Sequence, residues 1–214
     1  RLVIPCDARY DGERKGSSHV IWSADGGSTW QRGGAVGDTF GEAQVLELAD
    51  GSLKDRFERC VAVGQFGIAR DELLGYLAEA ADVLDFMTVE HGLQHLDIKP
   101  ENLLLDGGHV KVADFGLVKS VKNVSVSIVG GLTPMFAAPE TFDGRPSDRS
   151  DQYSLAIVYQ LLLTGRCPFN GQSLAQLTSQ HLTAKPDLSS LPATDRACIE
   201  RALAKDPYDR FPSC

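Results

Sequence analysis

The sequence predicts an α+β chain, with an antiparallel β segment followed by a mainly α-helical lobe. Three observations predict it. Residues 1–50 are rich in Gly, Asp, Ser and Trp and carry no helical period. The stretch DELLGYLAEAADVLDFM then sets Leu73, Leu77, Ala80, Leu84 and Met87 on one face at helical spacing. Further on, SDQYSLAIVYQLLLTG reads as a second apolar helix, closed by Gly165 with Pro168 just beyond.

Composition sets the outer limits. A length of 214 residues suits one large domain or two small ones. An apolar share of 43% and a charged share of 23% are ordinary for a soluble globular protein. The net charge of −8 points away from nucleic acid, which selects a basic face. No apolar run nears the roughly 20 residues of a membrane-spanning helix, and the opening RLVIP lacks the layout of a signal peptide. A start at Arg1 rather than Met marks the N-terminus as a cut. Cys6, Cys60, Cys167, Cys198 and Cys214 show no CxxC and no regular spacing. Free thiols in a reducing cytoplasm are expected rather than a disulfide framework.

In the first part, the apolar strings LVIP, HVIW and AQVLEL alternate with the turn-forming clusters DARYDGERKGSS, SADGGST and QRGGAVGD. That is the pattern of short antiparallel strands. Within it, Ser23-Ala-Asp25-Gly-Gly-Ser-Thr29-Trp30 follows the order S-x-D-x-G-x-T-W. Asp25 can accept hydrogen bonds from its own turn, Gly27 can take a positive φ, and Trp30 can fold back as a cap. The stretch resembles the Asp-box hairpin of sialidases and related β-propellers, where the motif is structural. GEAQVLEL is similar to the sialidase segment whose glutamate polarises a tyrosine nucleophile, and the match falls on Glu42. The resemblance implies a remnant rather than a working glycan hydrolase or binder. About 50 residues make roughly one four-stranded blade, and the family's tyrosine and three carboxylate-gripping arginines belong to other parts of a propeller.

GEAQVLELADGSLKDRF, residues 41–57, has two readings. From the N-terminal side it is a strand, a tight turn and a second strand. From the C-terminal side it is a short extended linker running into a helix at LKDRFERC. Beyond the two long helices, LAQLTSQHL and ATDRACIERALAKDP predict two more.

Three motifs in the second part carry chemistry. His95-Leu-Asp97-Ile-Lys99-Pro-Glu-Asn102 is followed by Asp114-Phe115-Gly116 and then by Ala138-Pro139-Glu140. In this order and at these distances they are similar to the catalytic half of a eukaryotic-type protein kinase, of the kind also found in bacteria. The resemblance covers about residues 47–214. It implies ATP and Mg²⁺ as cofactors and a protein bearing Ser or Thr as substrate. Phosphoryl transfer needs a positioned hydroxyl and neutralised phosphate charge more than covalent help. By resemblance, Asp97 accepts or orients the substrate hydroxyl, and Asn102 and Asp114 hold Mg²⁺, a hard cation that prefers oxygen ligands. Lys99 touches the γ-phosphate, and a Lys at this place is like serine/threonine kinases and unlike tyrosine kinases. Thr133, in LTPMFAAPE, matches the threonine that bridges the catalytic Asp and Lys.

Supporting residues follow from the same likeness. Glu47 and Ala49 fall in the hinge that holds the adenine. His95, Phe115 and Gly116 complete the motifs, and Glu140 and Arg210 match a buried ion pair. Asp151 fits the acidic residue that binds the catalytic-loop backbone; an N-cap role is compatible with the same position. Leu96 stands where many kinases have Arg, so a phosphate on Ser125 or Ser127 lacks its usual partner. Upstream of His95 there is no G-x-G-x-x-G, no V-A-I-K and no helix glutamate of a kinase N-lobe, and Lys15 and Lys54 stand in no such context. The chain stops at Cys214, where a last helix is expected to begin.

ELADGSL, residues 47–53, is similar both to a kinase hinge and to the strand and turn after the sialidase glutamate. The expectation is two pieces, a sialidase-like β fragment at 1–46 and a kinase hinge plus C-lobe at 47–214, joined where the two sequences coincide. The kinase piece is expected to be inactive without its N-lobe. A non-catalytic kinase-like binding module is the alternative, and the oligomeric state stays open.

Overall fold

The computed structural model describes residues 2–9, 16–23, 31–37, 50–114, 119–120 and 133–214. The chain divides into two compact units, one of Arg1–Ala49 with Ala113–Phe115, the other of Asp50–Val112 with Gly116–Cys214.

In the first unit, Leu2–Arg9 (β1), Gly16–Ser23 (β2) and Gln31–Gly37 (β3) form an antiparallel sheet in the order β1-β2-β3. β1 and β2 pair without interruption from Leu2↔Ser23 to Arg9↔Gly16. Pro5 lies in β1, at the end of this strand order, where a missing N–H is tolerated. QRGGAVGD, expected as a turn, is instead mostly strand β3, because pairing to β2 outweighs the weak strand propensity of Gly. The mismatch surfaces as register shifts between Ser18 and His19 and between His19 and Ile21. The turn of the Asp-box stretch, residues 24–30, and Glu42 lie outside the described residues.

The second unit begins with a helix start that decides between the two readings of residues 50–57. Leu53–Ala62 (α1) opens on a capping box: Asp55 N donates to the Ser52 hydroxyl at 3.2 Å, and Ser52 N donates to the Asp55 carboxylate at 2.6 Å. Gly51 has φ +105°, and a Cβ there would meet Asp55 Oδ2 at 3.1 Å, so the approach to the helix needs glycine. From Gly51 onward the linker-and-helix reading holds.

Arg70–His91 (α2) buries Leu73, Leu77, Ala80, Leu84 and Met87, the face its spacing predicts. Ser150–Thr164 (α4) is buried around nearly its whole circumference, with Tyr153, Ile157 and Val158 fully enclosed, and it ends on Gly165 at φ +68°. It packs against α1, α2 and Ala193–Ala202 (α6), which makes it the axis of the core. Pro139–Phe142 (α3) and Leu174–Thr183 (α5) complete the helices among the described residues. Short strands were not foreseen here. Leu93–Gln94 (β4) pairs with Lys119–Ser120 (β7), and Leu103–Asp106 (β5) pairs with His109–Val112 (β6) across Gly107-Gly108, both at positive φ.

Candidate active site

The loop from His95 to Asn102 follows β4 and is fastened by α4. Asp151, 3% exposed, accepts from His95 N at 2.7 Å and from Leu96 N at 2.8 Å. This corrects the N-cap reading: Arg149 flanks the helix, and the Asp151 side chain is spent on the loop. Burial pushes the Asp151 carboxyl up, against the pull of His95 and the two amides. Leu96 takes φ +64°, rare for a residue with a side chain, and that side chain is buried and uncharged.

Fastened in this way, the loop presents Asp97, which is 8% exposed. Thr133 Oγ1 donates to its Oδ1 at 2.8 Å. Lys99 Nζ donates to Oδ2 at 2.6 Å, and Asn102 Nδ2 reaches the same oxygen at 3.1 Å and the Asp97 carbonyl at 2.8 Å. Lys99 and Thr133 also meet each other at 3.3 Å. Four sequence-predicted residues are therefore brought together around one carboxylate, whose two oxygens are held by different partners. Asn102 spends its amide nitrogen on Asp97, which leaves the amide oxygen as the atom it can offer a ligand.

A second carboxylate is gripped further along the chain. Arg210, 1% exposed, donates to Glu140 through two nitrogens, at 2.7 and 2.8 Å. Ser150 and Ser147 add their hydroxyls to Glu140 Oε1 at 2.7 and 3.0 Å. Burial alone would raise the Glu140 carboxyl; Arg210 and Ser150 outweigh it and hold it below the ordinary value. The two serines were not foreseen, because nothing in their local sequence separates them from surface hydroxyls.

Asp114 has φ +63° and is grouped with the first unit. Glu47, Ala49, Phe115, Gly116, Ser125 and Ser127 lie outside the described residues. Lys54, which had no assigned context, pairs with Glu101 at 3.2 Å. A further network escaped the sequence. Arg70 grips Asp195 at 2.7 and 2.9 Å, and Tyr159 donates to the same carboxylate at 2.5 Å.

A family model for the protein kinase domain matches residues 43–213. The chain belongs to the protein kinase family. Within that family it is similar to serine/threonine-protein kinase PknL of Mycobacterium tuberculosis, at 39% identity over 129 residues, covering 56% of this chain and 32% of the relative. It is also similar to serine/threonine-protein kinase Pkn1 of Myxococcus xanthus, 37% identical over 161 residues, covering 68% and 23%. A third relative is serine/threonine-protein kinase PkaA of Streptomyces coelicolor, 37% identical over 180 residues, covering 78% and 32%. This kinase chain spans about a third or less of the length of these relatives. The family match begins at residue 43, four residues ahead of the hinge expected at Glu47. Among the described residues, no helix is long and apolar enough to cross a membrane.

Proposed function

We propose that residues 47–214 carry the catalytic half of a serine/threonine protein kinase, which moves the γ-phosphoryl group of ATP to a Ser or Thr hydroxyl of a protein. The observation that carries this reading is the grip on Asp97, with Thr133 on one oxygen and Lys99 and Asn102 on the other. A carboxylate fixed in this way can take the proton of a hydroxyl that approaches its open side. The hydroxyl oxygen then bonds to the γ-phosphorus as the bond to the β-phosphate oxygen breaks, and ADP leaves. Lys99, already beside Asp97, balances charge on the moving phosphoryl group. By the family resemblance, Asn102 through its amide oxygen and Asp114 through its carboxylate would be the ligands of Mg²⁺, a hard cation that prefers oxygen donors. When bound, the metal neutralises phosphate charge. Glu47 and Ala49 belong to the hinge that holds the adenine.

The reading is tested by joining the N-lobe of a relative such as PknL ahead of Glu47 and following phosphate transfer from radiolabelled ATP to a serine protein. Transfer is expected, and Asp97→Ala in this fusion should lower it by roughly two to four powers of ten, the span of a lost general base. A fusion that transfers equally well without Asp97 would overturn the assignment.

The part ahead of the hinge belongs to a different reading. We propose that residues 1–46 are a β fragment of the Asp-box type and that ELADGSL marks the join of two unrelated coding sequences. The start of the family match at residue 43 supports a change of ancestry in this stretch. A long sequencing read through codons 30–70 tests an assembly origin of the join, and limited proteolysis should cut between about residues 31 and 47. The four described cysteines are all free thiols, which supports a cytoplasmic setting for the kinase part.

A further inference from the structure

Met135 lies in the stretch Thr133-Pro-Met-Phe136, a turn with both ends tied. Phe136 N donates to the Thr133 carbonyl at 3.0 Å, and the Ser154 hydroxyl on α4 donates to the Phe136 carbonyl at 2.8 Å. At the start of the same turn, Thr133 grips Asp97 at 2.8 Å. Met135 is 40% exposed, against 8% for Met87 in α2, and these are the two methionines of the chain. The Cys167 thiol, just past the end of α4, donates to the Met135 sulfur at 3.6 Å.

We infer that Met135 is an oxidation site, where a peroxide adds one oxygen atom to the face of the sulfur that Cys167 leaves open, and that the sulfoxide loosens the hold of Thr133 on Asp97. In the reaction a sulfur lone pair attacks one peroxide oxygen. The S–O bond forms as the O–O bond breaks, and the hydroxyl proton passes to the departing hydroxide, which leaves as water. The thioether is oxidised by two electrons and the peroxide is reduced by two. The effect at Asp97 rests on the kinase reading, whereas the oxidation itself does not.

The geometry selects both the atom and the face. Of the two adjacent sulfurs, a thiol reacts as its thiolate, while a thioether needs no deprotonation. Burial pushes the Cys167 thiol up, so it stays protonated at neutral pH and Met135 is the reactive partner. A thioether sulfur carries two lone pairs, and the Cys167 S–H occupies one. Attack through the other gives a single sulfoxide epimer. The new oxygen is a strong acceptor where the thioether was a weak one, and its hydration draws the side chain away from Cys167. Met135 sits between the tied ends of the turn, so this change bears directly on Thr133.

The test exposes the 214-residue chain, with carbon-13 methyl-labelled methionine, to dilute hydrogen peroxide. The Met135 methyl signal is expected to convert to the sulfoxide roughly tenfold or more faster than that of Met87. In the peptide then excised by a protease, one of the two epimer-specific methionine sulfoxide reductases should restore nearly all of Met135 and the other little. Cys167→Ala should open the second face and bring the two epimers towards equal amounts. The parent chain decides the matter even if that variant fails to fold. Equal rates at Met135 and Met87, or equal epimers at Met135, overturn the site. The effect at Asp97 is read in the N-lobe fusion, where peroxide should lower kcat roughly three- to tenfold, the worth of one hydrogen bond. A fusion carrying Met135→Leu, a volume-conserving swap, should escape that loss. Equal losses with and without Met135 overturn the link to Thr133. A fusion that transfers no phosphate at all sinks the kinase reading and the effect on turnover with it, and the methionine signals still decide the oxidation site.

Discussion

The two units are held together over different distances along the chain. In the N-terminal sheet, the described backbone pairings join strands that are neighbours in sequence, β1 with β2 and β2 with β3. In the helical unit, the decisive bonds are made by side chains across long separations. Asp151 reaches 56 residues back to His95, Glu140 reaches 70 residues forward to Arg210, and Arg70 reaches 125 residues forward to Asp195. A ladder between neighbours costs little loop closure and is indifferent to most side-chain changes, whereas a bond across many residues orders everything between its ends. The loop from His95 to Asn102 uses the second kind: Asp97 is placed by Asp151 and Thr133, neither of which lies near it in sequence.

The strongest way to sharpen this contrast is to ask what each unit adds to catalysis. The 214-residue chain is expected to transfer no phosphate at a measurable rate. On the proposed reading, Asp97, Lys99, Asn102 and Asp114 would orient the hydroxyl and the phosphate end, while the first 46 residues carry none of the motifs that would cover the nucleotide. Orientation alone can be worth roughly 7–11 kcal/mol. The fusion with a family N-lobe should therefore exceed the chain itself by about five or more powers of ten in rate. Robust turnover by the unmodified chain, lost in Asp97→Ala, would show that residues 1–46 complete the site.

A smaller effect probes the long-range bonds themselves. Arg210→Ala leaves Glu140, whose side chain is 11% exposed, beside two serines without its Arg210 partner, and breaking a largely buried pair costs up to about 3–5 kcal/mol. Urea unfolding followed by helical circular dichroism should register that loss in the helical unit. Arg210→Lys keeps the charge but not the two-nitrogen grip, so it should fall between the parent and Arg210→Ala. A cost under about 1 kcal/mol for Arg210→Ala would mean that the pair is dispensable.

These same separations explain what was legible in the sequence. The buried face of α2, the extent of α4 and the start of α1 are written in local spacing and caps, and all three match the helices formed. Asp97, Lys99, Asn102 and Thr133 were named through motifs, and the loop does gather them. The strand β3 was misread because Gly-rich composition signals a turn locally, while its pairing to β2 is a tertiary matter. Ser147, Ser150 and Tyr159 had no local signal at all. Each is engaged through a carboxylate that the fold brings to it.

The last prediction uses acid to separate the helical unit's side-chain bonds from simple helix content. His181 on α5 has no exposed surface. Its Nδ1 meets the Tyr153 hydroxyl at 2.9 Å, and its ring packs on Phe169, Tyr153 and Phe142 at centroid distances of 4.6, 5.7 and 5.8 Å. Burial, reinforced by the charge of Lys205, lowers its pKa from 6.5 to about 4. Over that interval the unfolded chain binds a proton that the folded chain refuses, so stability rises with pH there and is lost as pH falls from 6.5 towards 4. The full interval sets a ceiling of about 3 kcal/mol, of which about 2 kcal/mol is gone by about pH 5. Glu72, Glu140 and Asp195 are held below their ordinary carboxyl values and surrender their contributions only in stronger acid. His181→Gln keeps a polar group for Tyr153 and cannot titrate. It should lower stability at neutral pH and flatten the dependence between about pH 6.5 and 5 in urea titrations. If the variant keeps the slope of the parent chain, His181 is not the group that makes the helical unit sensitive to acid.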